Sequence, residues 1–134
     1  MNKAAFSLEN YRFEKIEIDY SNYSKDISIK FTPSGEYDSK KGVFKLSFIF
    51  TAINEEENLD FVKIECISEF EFEEKLSFEE IPGYFYRNSI AIVFPYMRSF
   101  VSTVTLQANV NPIILPTLNL SDLEKPLKEN TVNL

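Results

Sequence analysis

An α+β fold is what the sequence predicts: a four-stranded antiparallel sheet with a long helix packed on one face and a short carboxyl-terminal helix. Three observations lead there. Apolar and polar residues alternate over much of residues 11–73, as in strands with one buried face. From Ile90 to Val104 the apolar spacing changes to three and four, the period of a helix. Beyond that helix, prolines and a capping signal mark an extended strap and one more short helix.

The first strand lies near Tyr11 to Tyr20. Its apolar parity shifts between Phe13 and Ile16, which marks a bulge or an edge position. In the second, Ile27, Ile29 and Phe31 alternate before Pro33-Ser34-Gly35. Phe44, Leu46, Phe48, Phe50 and Ala52 keep one parity through the third. Val62, Ile64, Cys66, Phe70 and Phe72 do the same in the fourth, Asn58 to Glu73, whose other face carries Lys63, Glu65, Glu69 and Glu71. The loops at Asp38 to Lys41 and Asn54 to Asn58 are short enough for hairpins, and Glu55-Glu56-Glu57 reads as a solvated turn.

The long helix runs from about Ser89 to Gln107, with Ile90, Val93, Phe94, Met97, Val101 and Val104 in one stripe. Pro95 lacks an N–H and crowds the preceding turn, so the helix kinks there or restarts with Pro95 in its first turn. Asn111 to Pro116 places two prolines around three aliphatics, which favours a strap. Ser121-Asp122-Leu123-Glu124 offers a capping box for the short helix. The chain is a single domain, with residues 1–5 and 129–134 as flexible termini.

Composition narrows the chemistry. With 134 residues, 44% hydrophobic and 26% charged, the chain can bury a real core without metals or disulfides. No basic, apolar leader opens it and no apolar run approaches a membrane span, so no stable membrane insertion is expected and the cytoplasm is the default location. A net charge of −7 argues against nucleic acid, whose binders neutralise phosphates with basic patches. There is no histidine and one cysteine, Cys66, which reads as a buried inert thiol; Ser-His and Cys-His pairs and the common zinc sites are thereby excluded. Three glycines cannot build a phosphate-cradling loop. No catalytic, cofactor or metal site is expected.

Two constellations are left for binding. Phe78, Tyr84, Phe85, Tyr86 and Tyr96 cluster where no simple pattern buries them. In one reading they fill the space between helix and sheet. In the other, Leu76 to Arg87 is a crossover loop with a turn at Pro82-Gly83, and these aromatics line an exposed groove with Ile113, Ile114, Leu115 and Leu118, suited to non-native chains. Glu65, Glu69, Glu71, Glu73 and Glu74 form a wet, acidic stretch with no evident pocket to shift their pKa values.

The order Ile92-Val93-Phe94-Pro95-Tyr96-Met97-Arg98, then Pro112, then Leu115-Pro116-Thr117-Leu118-Asn119-Leu120, resembles the SecB family of export chaperones. Family members carry an LFPYAR-like run in the long helix and a P-x-L-x-L-x-P-x-N-F-like segment after it; this chain reads VFPYMR and PIILPTLNL. The resemblance implies a homotetramer, a dimer of dimers with the long helix at the interface, acting as an ATP-independent holdase for unfolded or precursor polypeptides in protein export. It also implies that Glu65, Glu69 and Glu71 form the face offered to the translocase motor SecA. The chain departs from the pattern at Ser68-Glu69-Phe70, where the family has a glycine, and at Ala108-Asn109-Val110-Asn111, which replaces a glycine-containing turn. The polar tail that holds SecA is missing or reduced, which bears on delivery more than on client binding. A dedicated chaperone for one partner, such as an antitoxin, is a variant of this expectation, and a protein-interaction module without chaperone activity is the alternative to it.

Overall fold

The computed structural model describes residues 5–111, 113, 115 and 119–134. Four long strands come first: β1 (Phe6–Ile18), β2 (Ile27–Asp38), β3 (Val43–Asn54) and β4 (Leu59–Phe72). A long helix α1 (Gly83–Gln107), a short α2 (Glu124–Glu129) and a three-residue β5 (Thr131–Asn133) follow. The sheet order is β1-β4-β3-β2-β5, antiparallel except that β5 runs parallel to β2. The sheet is thus five-stranded and mixed, a correction to the four antiparallel strands that alternation predicts. The added strand is too short to show alternation, and it lies within the stretch 129–134 read from sequence as a flexible terminus.

One face of the sheet meets α1. Phe44, Leu46, Phe48, Phe50 and Ala52 of β3 stand opposite Phe70, Ser68, Cys66, Ile64 and Val62 of β4, and all are buried. From α1, Phe85, Tyr86, Ile90, Val93, Phe94, Met97 and Val101 close the core. β1 keeps its apolar residues on this face only by shifting register twice, between Leu8 and Asn10 and between Phe13 and Lys15. The second shift is the parity break visible in sequence, and β1 is also an edge strand, so both readings of that break hold.

The two hairpin loops share one design. Asp38 and Asn54 each accept two backbone N–H groups of their loop, from Lys40 and Lys41 and from Glu56 and Glu57. Each loop ends in a left-handed residue, Gly42 at φ 69 and Asn58 at φ 56, whose N–H returns to the carbonyl of Asp38 or Asn54. Strand β2 runs straight through Pro33-Ser34-Gly35. The Gly35 N–H points away from β3, to Asn130 O at 3.1 Å, so Pro33, two residues earlier, faces the same side and costs the β2–β3 ladder no donor.

Leu76 to Arg87 is not a loop throughout, since its residues from Gly83 onward belong to α1; residues 19–26 make the separate link from β1 to β2. β1 and β2 have β4 and β3 between them, and the link is stapled to the end of that hairpin: Asp19 N–H donates to Phe61 O at 2.9 Å, Asn22 Nδ2 to Asp60 O at 2.9 Å, and Asn54 Nδ2 to Asn22 O at 3.1 Å.

Helix α1 begins at Gly83, six residues before the expected start, with Pro82 as its N-cap. It runs unbroken through Pro95, so it does not restart there. Pro95 and Ala91, the pair that loses a hydrogen bond, are both exposed, where water can take the freed carbonyl. The helix ends in a Schellman turn: Asn109 N–H donates to Leu106 O and Val110 N–H to Thr105 O, with Asn109 at φ 60 in the place usually held by glycine. After the strap, Asn119 rather than Ser121 caps the 3-10 turn Leu120–Leu123 that leads into α2.

Candidate functional site

The residues expected to form one groove are distributed over the molecule. Phe85 is fully buried, with its ring centroid within 4.7–4.8 Å of those of Phe6, Phe44 and Phe72. Tyr86 is buried beside it, and burial raises its hydroxyl pKa. These two belong to the core. Phe78 and Tyr84 are half-buried. Ile113 and Leu115 are buried, whereas Ile114 and Leu118 lie outside the described residues. Tyr96 is 41% exposed, on the outward side of α1.

An open cleft of about 320 Å³ with a mixed apolar and polar lining does exist, at the start of β2. Tyr23, Ile27, Ile29, Val110 and Ile113 supply its apolar walls, and Ser24, Lys25 and Asn111 its polar ones. Two tyrosines of the crossing segment join its walls: Tyr20 Oη donates to Asn109 O at 2.7 Å, and Asn111 Nδ2 reaches Tyr23 Oη at 3.4 Å. Of this lining, sequence reasoning named only Ile113 as a groove residue. Ile27 and Ile29 were legible as strand residues, and the repeated Tyr20 and Tyr23 of a polar link were the available signal.

A second apolar surface joins β1 to the outward side of α1. Tyr11 stacks on Tyr96 with ring centroids 4.3 Å apart, and Phe13 on Phe100 at 4.0 Å and 8°. Ile16, Ile92 and Leu106 extend the patch and are exposed. Ile92, Tyr96, Phe100 and Leu106 form a second stripe on the helix, flanked by exposed Ser99 and Thr103, which a search for a single core stripe passes over.

Glu65, Glu69 and Glu71 do share the sheet face that α1 leaves open, but it is a mixed-charge face. Lys45 pairs across to Glu36 on one side and Glu69 on the other, Lys15 faces Glu65, and Lys63 faces Glu17. Glu65 also accepts a hydrogen bond from Ser47 Oγ at 2.7 Å. Cys66, on the opposite face, is fully buried, and burial pushes its thiol up to about 11 against a weaker pull from the Arg12 backbone. By length and composition α1 could cross a membrane, at a mean hydropathy of 1.3, yet here it is the core helix of the sheet.

The described residues thus form a sheet covered by one long helix, with an open cleft at the start of β2 and exposed aromatic and aliphatic side chains on β1 and α1. The chain has a SecB-like fold. It superposes on a Mycobacterium tuberculosis SecB-like chaperone in complex with a ChAD peptide from the HigA1 antitoxin, with a TM-score of 0.69, 16% identity, and 85% of this chain and 88% of that one covered. A protein of unknown function from Streptococcus agalactiae gives a TM-score of 0.49 at 13% identity over 87% of this chain and 100% of its own. In sequence, an uncharacterised protein of Methanocaldococcus jannaschii is 46% identical over 48 residues, which span 33% of this chain and 31% of that protein. No family model matches the chain.

Proposed function

We propose that this protein is an ATP-independent holdase chaperone that binds non-native polypeptides, in the cytoplasm, as a homotetramer. The observation that carries the reading is the SecB-like fold together with an open, partly apolar cleft at the start of β2. Apolar side chains of an unfolded client recover burial there at roughly 25 cal/mol per Å². Binding the unfolded form alone withholds it from aggregation by mass action. One cleft of this size binds weakly, and repetition over the subunits makes a long client bind tightly through effective concentration.

The β1 and α1 surface is the reading's subunit interface. The exposed Tyr11 and Tyr96, stacked on each other, offer apolar area to a second copy, and the outer edge of β1 carries a row of backbone groups that a second strand can pair. Export with hand-over to SecA through Glu65, Glu69 and Glu71 is one use of such a holdase; the lysines paired with these carboxylates offset part of the acidic field offered to a partner. Service to one antitoxin-like partner is a second use, favoured by the antitoxin peptide on the mycobacterial neighbour.

The test is fluorescence anisotropy of a reduced, alkylated and therefore permanently unfolded protein titrated with this chain, beside the same protein in its native form. Saturable binding of the unfolded form alone is the expected result. Equal binding of both forms, or of neither, contradicts the proposal and leaves an interaction module.

A further inference from the structure

Strand β5 is a short edge strand, three residues in register with β2. Gly35 N–H donates to Asn130 O at 3.1 Å and Leu134 N–H to Tyr37 O at 2.9 Å. Val132, between those two bonds, turns its own amide to β2 by the same parity. Its side chain is 58% exposed, and that of Leu134 68%, so pairing buries almost no apolar surface. The net gain from each such hydrogen bond is of the same order as the backbone entropy lost in fixing a residue. A hinge is also present. Leu127 anchors α2 in the core, and Asn130 closes that helix through Pro126 O and Leu127 O, so residues from Thr131 onward can leave with α2 still seated, giving up the Thr131 Oγ1 bond to Leu127 O at 2.6 Å.

The edge under β5 is continuous with the candidate cleft. Ile27 and Ile29 of the cleft and Gly35 and Tyr37 under β5 belong to the same strand, and odd-numbered residues of β2 turn their backbone groups outward. No described residue pairs as a strand with β2 between Ile27 and Ser34 on that side. We infer that β5 is a built-in competitor for the outer edge of β2: an extended segment of a non-native polypeptide, seated in the cleft, displaces β5 and pairs with β2 in its place. The segment supplies what β5 supplies, backbone donors and acceptors in extended geometry, and over a longer run than three residues. The inference rests on the holdase reading and names how its client is gripped.

Two variants and one label-free readout test it. Val132→Pro removes a donor at an exposed position and frees the edge; unfolded-client affinity should rise by about three- to tenfold, the factor set by how often β5 is closed. The pair Glu36→Cys and Val132→Cys, opposite each other in register, locks β5 when oxidised, and client affinity should then fall on the order of tenfold and recover on reduction. The native Cys66 is buried and will not compete. In hydrogen exchange, client binding should expose the Leu134 amide while the Gly35 amide stays protected. An oxidised lock with unchanged client affinity, or a Leu134 amide that keeps its protection, overturns the inference alone. A wild type that binds no unfolded protein overturns the holdase reading and this inference with it.

Discussion

Replacing Phe85 with Ala separates a core aromatic from a groove aromatic. Phe85 lies in the first turns of α1, with its ring centroid 4.8 Å from Phe6, 4.7 Å from Phe44, 4.8 Å from Phe72 and 5.7 Å from Phe70. It is fully buried. Deleting a ring so enclosed costs about 3–5 kcal/mol, because the four neighbours belong to three different strands and cannot all collapse into the void. Against a total stability of roughly 5–15 kcal/mol for a domain of this class, that is a large fraction. It corresponds to a fall of about 10–20 °C in Tm. Tyr96→Ala, at an exposed position with one close stack, should cost about 1 kcal/mol. Circular-dichroism melts and urea midpoints of both variants, each with an unfolded-client titration, make the comparison. A Phe85→Ala protein that melts within a few degrees of wild type but no longer binds client would refute the packing argument and return Phe85 to a groove.

Three further outcomes follow from particular residues. Asn109 holds a left-handed turn at φ 60, so Asn109→Val should destabilise by about 1–2 kcal/mol while Asn109→Gly stays within about 0.5, measured by urea unfolding; equal effects would deny the turn. Cys66 has its folded pKa raised from 9.0 to about 11, so above pH 9.0 the unfolded chain releases a proton that the native chain keeps. Stability should therefore fall between pH 9.0 and about 11 by up to about 1.4 kcal/mol per unit, and Cys66→Ala should lose that slope; parallel curves would contradict it. Tyr96→Glu puts a charge in the patch proposed to join subunits, and light scattering on eluting protein should give a smaller mass than for wild type; an unchanged mass would remove this face from the assembly.

Much of the sheet was legible because its signal is local. The parity of Phe44 to Ala52 and of Val62 to Phe72 survives in the structure, as does the break in β1, since one buried face forces period two along each strand. Both hairpin loops were legible from their shortness, and the structure adds that Asp38 and Asn54 cap their own turns. The start of α1 was not, because Pro82-Gly83 carries turn chemistry and Ser89 interrupts the stripe; yet Tyr86, Ile90, Val93 and Met97 keep helical spacing and are all buried. Strand β2 was cut short at Pro33 because a proline is harmless only on an outward-facing position, and facing depends on strand order. Strand order is a tertiary property, and it also decides that residues 19–26 make the crossing. The cleft draws on that link, on β2 and on the strap, three segments whose proximity no local period announces. Exposure was the other illegible quantity: Phe85 and Tyr86 are chemically suited to a groove or to a core, and only the packing of α1 on the sheet decides between them.

The central claim, that this fold holds non-native chains without nucleotide, is tested most directly by light scattering. A chemically unfolded, aggregation-prone protein is diluted into buffer with and without a stoichiometric excess of this chain, and no nucleotide is added. Suppression of the scattering, graded with chain concentration, is the predicted result. Scattering unchanged by a demonstrably folded sample would contradict the claim and leave the SecB-like fold in the service of another interaction.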